Sequence, residues 1–341
     1  MKKTFYSVEL LRFLTALCII IFHYQHFFYP YFSLSEINIV NNRELQPFYN
    51  LLSRIYTNGF HAVPMFWTIS GFVFAHVYLN NAKISGKEFF VNRFARLYPL
   101  HFFTLILVTV LQLINTYYFN KYEIYEINDL YHFFLHLFFI SGWGFENGYS
   151  FNNPVWSVSV ELVIYLFFFI TLKCVKNYNL KFLIILSIIL YLLDSYIESY
   201  FIKCARLFFL GVIVYKLSKF NIKKKKTIFV INSILLLITF NSGLITYFYP
   251  TLIYFFLLFE KFFLNKNKFF SFLGNQTYSS YLMHVPVQLF IIIMFKFLKL
   301  DYEIFLKKEI FLIYILLIFL ISHYTFKYLE LPLKNKIKKL L

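Results

Sequence analysis

The stretch VELLRFLTALCIIIFHYQHF, Val8 to Phe27, is apolar enough through its middle to cross a bilayer, yet it carries Glu9, Arg12, His23 and His26. An arginine in a spanning helix costs roughly 2.5–3.5 kcal/mol on insertion scales. Such a run therefore reads as a membrane helix with a polar purpose, and similar apolar runs recur along all 341 residues. The composition agrees, with 60% hydrophobic, 24% aromatic and 14% charged residues. Soluble chains carry about 25% charged residues. A helix rising about 1.5 Å per residue needs about 20 apolar residues to cross about 30 Å of hydrocarbon. The expected fold class is all-α, a polytopic integral membrane protein.

Within the first run the polar residues share a side. Arg12 and His23 are eleven residues apart, which at about 100° per residue leaves them only about 20° apart around the helix and about 16 Å apart along it. Glu9 and His26 fall on the same stripe, with Thr15 near it. Intramembrane ionisable residues usually line a cavity or pathway, so this seam makes Arg12 and His23 candidate site residues with Glu9 as the partner of Arg12. The plain alternative is that Arg12 snorkels to the cytosolic surface and His23 is interfacial.

Ten spans are expected, at roughly 7–28, 59–79, 98–119, 155–174, 180–197, 203–219, 227–242, 244–261, 278–297 and 307–327. With the N-terminus placed in the cytoplasm, 23 of the 33 Lys and Arg residues fall inside and 9 outside, with Arg12 buried. The inside set includes KKKK at Lys223–Lys226 and the basic tail from Lys327 to Lys339. That bias follows the positive-inside rule and predicts that both termini are cytoplasmic. The charge of +17 is spread over such loops, which argues against a nucleic-acid partner. DLYHFFLHLFFISGWG, Asp129 to Gly144, is too short to span and is expected to be interfacial or re-entrant. No linker is seen, so residues 1–335 read as one membrane domain, followed by a short tail, 336–341.

Cys18, Cys174 and Cys204 lie in or beside apolar runs without pairing or metal spacing. His132 and His136 are four apart but lack an acidic third ligand, so they read as interfacial and no metal is expected. In FHAVPMFWTISGFVFAHVY, Ser70 and Gly71 are small residues that let a helix or a ligand come close, and His61 marks the outer mouth. Arg93 and Arg96, in RFARLYP, lie three apart on one helical face. Paired guanidiniums suit phosphate, although ordinary cytoplasmic anchoring explains them as well. In NNPVWSVSVELVIYLF, Trp156 marks an interface, and Ser157 and Glu161 share a face. There Glu161 can line the cavity or partner a buried cation. Tyr281 and His284 neighbour one another in GNQTYSSYLMHVPVQLF.

These elements in this order resemble the acyltransferase 3 family, integral membrane acyltransferases of bacterial surface glycans. The likeness is carried by Arg12 and His23, FWTISGF, RFARLYP, WSVSVE, GNQTYSSYLMHVPV and ELP at Glu330–Pro332. The resemblance implies a ten-helix fold in the bacterial cytoplasmic membrane. It implies transfer of an acyl group, usually acetyl from acetyl-CoA, to a carbohydrate hydroxyl, as in O-antigen, capsule or exopolysaccharide. It further implies His23 as catalytic base with Arg12, and Arg93 and Arg96 on the acyl-donor side, to which Glu9 is added as the residue that holds Arg12. No bound cofactor is expected, since acetyl-CoA is a substrate. Ser70, Trp156, Ser157, Glu161, Tyr281 and His284 are expected to line or support the cavity. The rival reading is a transporter or exporter that uses the same seam as a substrate path. Concentration of ionisable residues on the first helix, without paired broken helices, favours the enzyme.

Overall fold

The computed structural model describes residues 4–28, 43–79, 84–174, 179–220, 224–241, 244–262 and 268–339. Among these the regular structure is helical, without strands. The helices are α1 (Tyr6–Phe22), α2 (Tyr49–Asn58), α3 (Ala62–Tyr78), α4 (Gly86–Phe119), α5 (Leu130–Leu137), α6 (Trp156–Cys174) and α7 (Leu180–Tyr196). Then come α8 (Tyr200–Ser218), α9 (Lys225–Asn241), α10 (Ile245–Phe262), α11 (Lys268–Asn275), α12 (Thr277–Phe297), α13 (Lys308–Thr325) and α14 (Leu331–Lys338). The chain continues α1 as a 3₁₀ segment, His23–Phe28, and joins α13 to α14 through a π-turn, Phe326–Glu330.

A helix lies in each of the ten expected intervals. Six stretches are long and apolar enough to cross a membrane: Tyr6–Phe28, Tyr49–Tyr78, Gly86–Phe119, Asn153–Leu172, Thr277–Phe297 and Lys308–Lys338. The protein is thus an all-helical integral membrane protein with six candidate spans. Three of the other four fall short for visible reasons. α7 and α9 have 17 residues each, a rise of only about 25 Å, and α8 carries Lys203, Arg206 and Lys216.

One sequence boundary moves. The expected span 98–119 is the later part of a single helix of 34 residues starting at Gly86. Ser85 and Glu88 explain the early start, because the Ser85 hydroxyl accepts the Glu88 N–H at 3.0 Å, as in a capping box. Arg93 and Arg96 therefore lie within α4 and not ahead of it. Pro99 is tolerated inside the same helix.

The chain packs as two compact units. The first comprises residues 1–15, 61–89 and 160–275. Its centre is the close approach of α3 and α8. A methyl group on Gly71 would strike the Phe208 backbone carbonyl, and one on Gly211 would strike that of Thr68. Ring packing of Phe74, Tyr165, Phe168 and Phe208 fills the space beside this contact. Several polar groups of this unit are matched internally, as lipid requires. Glu260 accepts from the Ser7 N–H at 2.9 Å and its hydroxyl at 2.5 Å. Arg206 pairs with Asp194 at 2.6 Å and lies over the rings of Tyr191 and Tyr247.

The second unit comprises residues 16–60, 90–159 and 276–341. Phe27 stacks on Phe305, and the Tyr24 hydroxyl donates to the Phe305 carbonyl at 2.9 Å. α4 presents Phe102, Phe103, Ile106, Val110 and Leu113 outward, an apolar stripe suited to lipid. The connection after α4 does not stay beyond the helix end. Near its start Glu123 is held by Gln112 and Lys296. Farther on, His101 Nε2 donates to the His136 carbonyl at 2.8 Å, and the Phe139 ring packs on His101. His101 precedes Phe119 by eighteen residues, about 27 Å of helix. The segment expected to be interfacial or re-entrant thus folds back along α4. Asn152 completes the return by donating to the Leu282 carbonyl in α12 at 2.9 Å.

The Gly71 contact predicts that Gly71→Ala forces α3 and α8 apart. The expected loss is about 1–3 kcal/mol, as for other overpacked sites, read as a lower thermal midpoint of the purified protein. An unchanged midpoint would show that the helices can separate freely.

Candidate functional site

The 3₁₀ segment that follows α1 decides how its histidines are presented. In a 3₁₀ helix, residues i and i+3 eclipse, and the rings of His23 and His26 accordingly stack with centroids 4.9 Å apart. Both are held from α12. His284 Nε2 lies 2.9 Å from His23 Nδ1, with the two rings stacked. One turn later, Gln288 donates through Nε2 to the His23 carbonyl at 2.8 Å and accepts at Oε1 from His26 Nδ1 at 2.9 Å. His284 and Gln288 are both fully buried.

This network fixes the tautomers. The Tyr281 carbonyl can only accept, so the His284 Nδ1 at 2.6 Å carries the proton toward it. His284 Nε2 then offers its lone pair to His23 Nδ1, which donates. Nε2 of His23 is left as the lone-pair nitrogen of a neutral imidazole, the form a proton acceptor needs. His23 is half-buried, and among the described residues its Nε2 makes no hydrogen bond.

Two other expected residues join this group but in supporting roles. The Tyr281 hydroxyl donates to the Pro154 carbonyl at 2.7 Å and meets the Ser157 hydroxyl at 2.8 Å. Ser157 is also 3.1 Å from the Pro154 carbonyl. Both hydroxyls thereby fasten the turn Asn153–Val155 and the start of α6 at Trp156 to α12. The first residue of α6, Trp156, contributes its carbonyl to the close packing around Gly142.

The remaining candidates lie elsewhere. In the first unit, Arg12 pairs with Glu9 at 2.9 Å, and both side chains are about a fifth exposed (23% and 21%). Glu9 also packs on Gly274, where a methyl group would strike its side chain. Thr15 bonds the Leu11 carbonyl of its own helix. Ser70 shares a 3.1 Å hydrogen bond with Tyr165, while neighbouring Gly71 serves helix packing. His61 bonds the Tyr249 hydroxyl at 2.8 Å, and Glu161 lies in electrostatic reach of the fully buried Cys204. In the second unit, Arg96 pairs with Glu330, whose other oxygen accepts from Ser279 at 2.6 Å. Arg93 lies one turn away on the same helix. His132 bonds Asp129 at 2.7 Å, and His136 bonds Ser150 at 3.1 Å. The exposed Asp129 carboxyl is held below its ordinary value, chiefly by the His132 N–H.

Gln288 and Glu330 complete this picture although sequence reasoning did not place them in the site. A signal existed for Gln288, a lone amide in an apolar stretch one turn after His284. Glu330 stands in the ELP element, but nothing local names Arg96 as its partner. Replacing Gln288 with Leu removes the acceptor of His26 and the donor to the His23 carbonyl. The expected loss is about 1–3 kcal/mol for the stranded groups, measured as a lower thermal midpoint. Gln288→Glu, which keeps the acceptor, should lose less.

A family model described as an acyltransferase domain matches residues 5–326. No curated protein and no solved structure gives a significant match. The family match runs over nearly all of the 341 residues and takes in α1, its histidines, the α4 arginines and α12. The chain therefore belongs to the acyltransferase 3 family and is an acyltransferase built on membrane-spanning helices.

Proposed function

We propose that the protein is a membrane O-acyltransferase that moves an acetyl group from acetyl-CoA to a hydroxyl of a cell-surface carbohydrate, with His23 as general base. The observation that carries this reading is the hydrogen bond from His23 Nδ1 to His284 Nε2, which leaves the other nitrogen of His23 ready to accept a proton. A sugar hydroxyl is a weak nucleophile, and its attack is helped by a base that takes the proton as the new bond forms. The hydroxyl oxygen bonds to the thioester carbonyl carbon while His23 Nε2 takes the proton. The carbon–sulfur bond then breaks, and the proton passes to the leaving thiolate. His284 keeps the imidazole in one tautomer and orientation throughout, and its own bond to the Tyr281 carbonyl resists reversal of that order. This is the positioning logic of a catalytic triad with a neutral third member.

Arg12, held by Glu9, is assigned to orient the donor thioester or stabilise its developing negative oxygen. Arg93 and Arg96 are assigned to the anionic donor at the cytoplasmic side. The acceptor glycan, lipid-linked or surface-bound, is assigned to the exoplasmic side of a bacterial cytoplasmic membrane. In this reading the chain crosses ten times with both termini inside. Its support is a helix in each expected interval and the basic bias of the alternate loops. Single cysteines at Lys299 and Lys336 test that topology, because an impermeant thiol reagent added outside intact cells should label the first alone.

His23→Ala should abolish acetyl transfer while the protein still accumulates in the membrane. His284→Phe should lower transfer by about a hundredfold, the lower range for loss of acid–base function. His284→Gln should recover part of that loss, since a side-chain carbonyl can accept from His23 Nδ1. The measurement is incorporation of labelled acetyl into glycan by the purified protein. Full transfer by His23→Ala would remove the catalytic assignment. Glycan movement across the membrane without acetylation would favour the transporter instead.

A further inference from the structure

The connection between α4 and α6 carries an exposed ring that the reaction just described leaves unused. Tyr149 is 65% exposed, although the chain on both sides of it is held from within. Two residues before it, the Asn147 N–H donates to His132 Nε2 at 3.3 Å. After it, the Ser150 hydroxyl meets His136 Nε2 at 3.1 Å, and the Phe151 N–H donates to Asn128 Oδ1 at 2.7 Å. Phe151 adopts the left-handed backbone, with φ 46°, which a bulky residue keeps only where its surroundings impose it. Irregular segments are usually the more mobile parts of a fold, but here the ring is presented from a fixed backbone.

That ring also stands at the end of a line leading to the proposed base. Tyr149 meets Tyr125 with centroids 6.2 Å apart, Tyr125 meets His26 at 5.5 Å, and His26 stacks on His23 at 4.9 Å. Asn128 fixes the first step, because its amide nitrogen donates to the Tyr125 carbonyl at 2.7 Å while its oxygen holds Phe151. Tyr125 and His26 are buried, whereas Tyr149 is open and His23 is half-buried. The four rings thus make a wall with a closed middle and two reachable ends. One end carries the nitrogen that takes a proton; the other carries a flat face of slightly negative charge. The C–H bonds along one side of a sugar ring suit such a face. Close by, the exposed Asp129 carboxylate shares His132 with Asn147 and can accept from sugar hydroxyls. Tyr117 gives the contrast. It is 80% exposed near the end of α4, where its ring meets Tyr118, the setting of an ordinary interfacial tyrosine.

We infer that Tyr149 binds the acceptor: its ring stacks on one sugar unit of the glycan and so brings the hydroxyl of another unit to His23. The inference rests on the acyl-transfer reading above for what happens at His23, but the stacking can be measured without any transfer. Tyr149 reads a part of the acceptor beyond the reacting unit. It is therefore a specificity-determining residue and not a catalytic one.

The test uses the purified full-length protein in nanodiscs, labelled acetyl-CoA, and surface polysaccharide from the producing cells freed of esters by mild alkali. Tyr149→Ala should raise the KM for polysaccharide about tenfold, the effect of one aromatic contact, with kcat and the KM for acetyl-CoA unchanged. Tyr149→Phe keeps the ring and should behave as wild type. Tyr149→Leu, apolar but without a π face, should match Tyr149→Ala. Tyr117→Ala should change none of these values. A second arm measures binding of the same polysaccharide by calorimetry without acetyl-CoA. Wild type and His23→Ala should bind alike, and Tyr149→Ala about tenfold more weakly. Equal polysaccharide affinity in wild type and Tyr149→Ala, or binding by neither, would overturn the site. So would a leucine variant equal to wild type, which would assign the ring to the lipid interface. Weaker binding by Tyr149→Ala with no acetyl transfer by wild type would leave the site standing and remove the enzymatic reading.

Discussion

Every polar group placed in hydrocarbon must find its partner within the protein, and that constraint organises this molecule more than any single contact. Among the described residues several acids and bases of the helices are met by another element. Ser7 caps the Glu260 carboxylate, Asp194 takes Arg206, Glu330 takes Arg96, and Lys296 reaches Glu123. Three of these pairings join segments far apart in sequence, and that of Asp194 with Arg206 joins consecutive helices, so they act as register marks as well as charge compensation. Buried pairs of this kind add little net stability compared with apolar packing. Their value here is specificity, because an alternative packing would strand a charge.

Against that background the His23–His284–Tyr281 chain stands out, because it does not end in compensation. Most of the polar pairs close on themselves, whereas this one fixes every proton but leaves a lone pair at its end. Tyr281 and Ser157 are expected to line or support the cavity, and their hydroxyls hold the Pro154 turn. The division of labour is therefore between a histidine that is held and a surrounding shell that does the holding. Gln288 and the 3₁₀ eclipse of His23 and His26 belong to that shell.

Much of this was legible in the sequence. Apolar length predicts the helices, although it puts the two α4 arginines ahead of the helix that contains them. The ion pair of Arg12 with Glu9 is local, three residues apart, and could be read directly. What the sequence concealed is of two kinds. Some features depend on partners far along the chain, such as Glu330 for Arg96 or Gln288 for the His23 carbonyl, and no local rule names them. Others depend on departures from the α-helix. The change to 3₁₀ geometry at His23 alters the angle per residue, so the uniform helical spacing assumed for His26 does not apply there. The early start of α4 is written in Ser85 and Glu88, a capping signal that apolar length does not read.

The π-turn at Phe326–Glu330 has one more consequence. A π-turn holds one residue more than an α-turn, so everything after it is rotated by about 100° from the path an unbroken helix would take. The side of α14 that faces the rest of the unit is therefore set by an inserted residue, not by the identities of the residues on it. Chains in which this segment is one residue shorter would keep the same lysines and present a different side. In that sense the length of the segment between the last apolar span and the tail, more than its composition, decides which residues of α14 face inward.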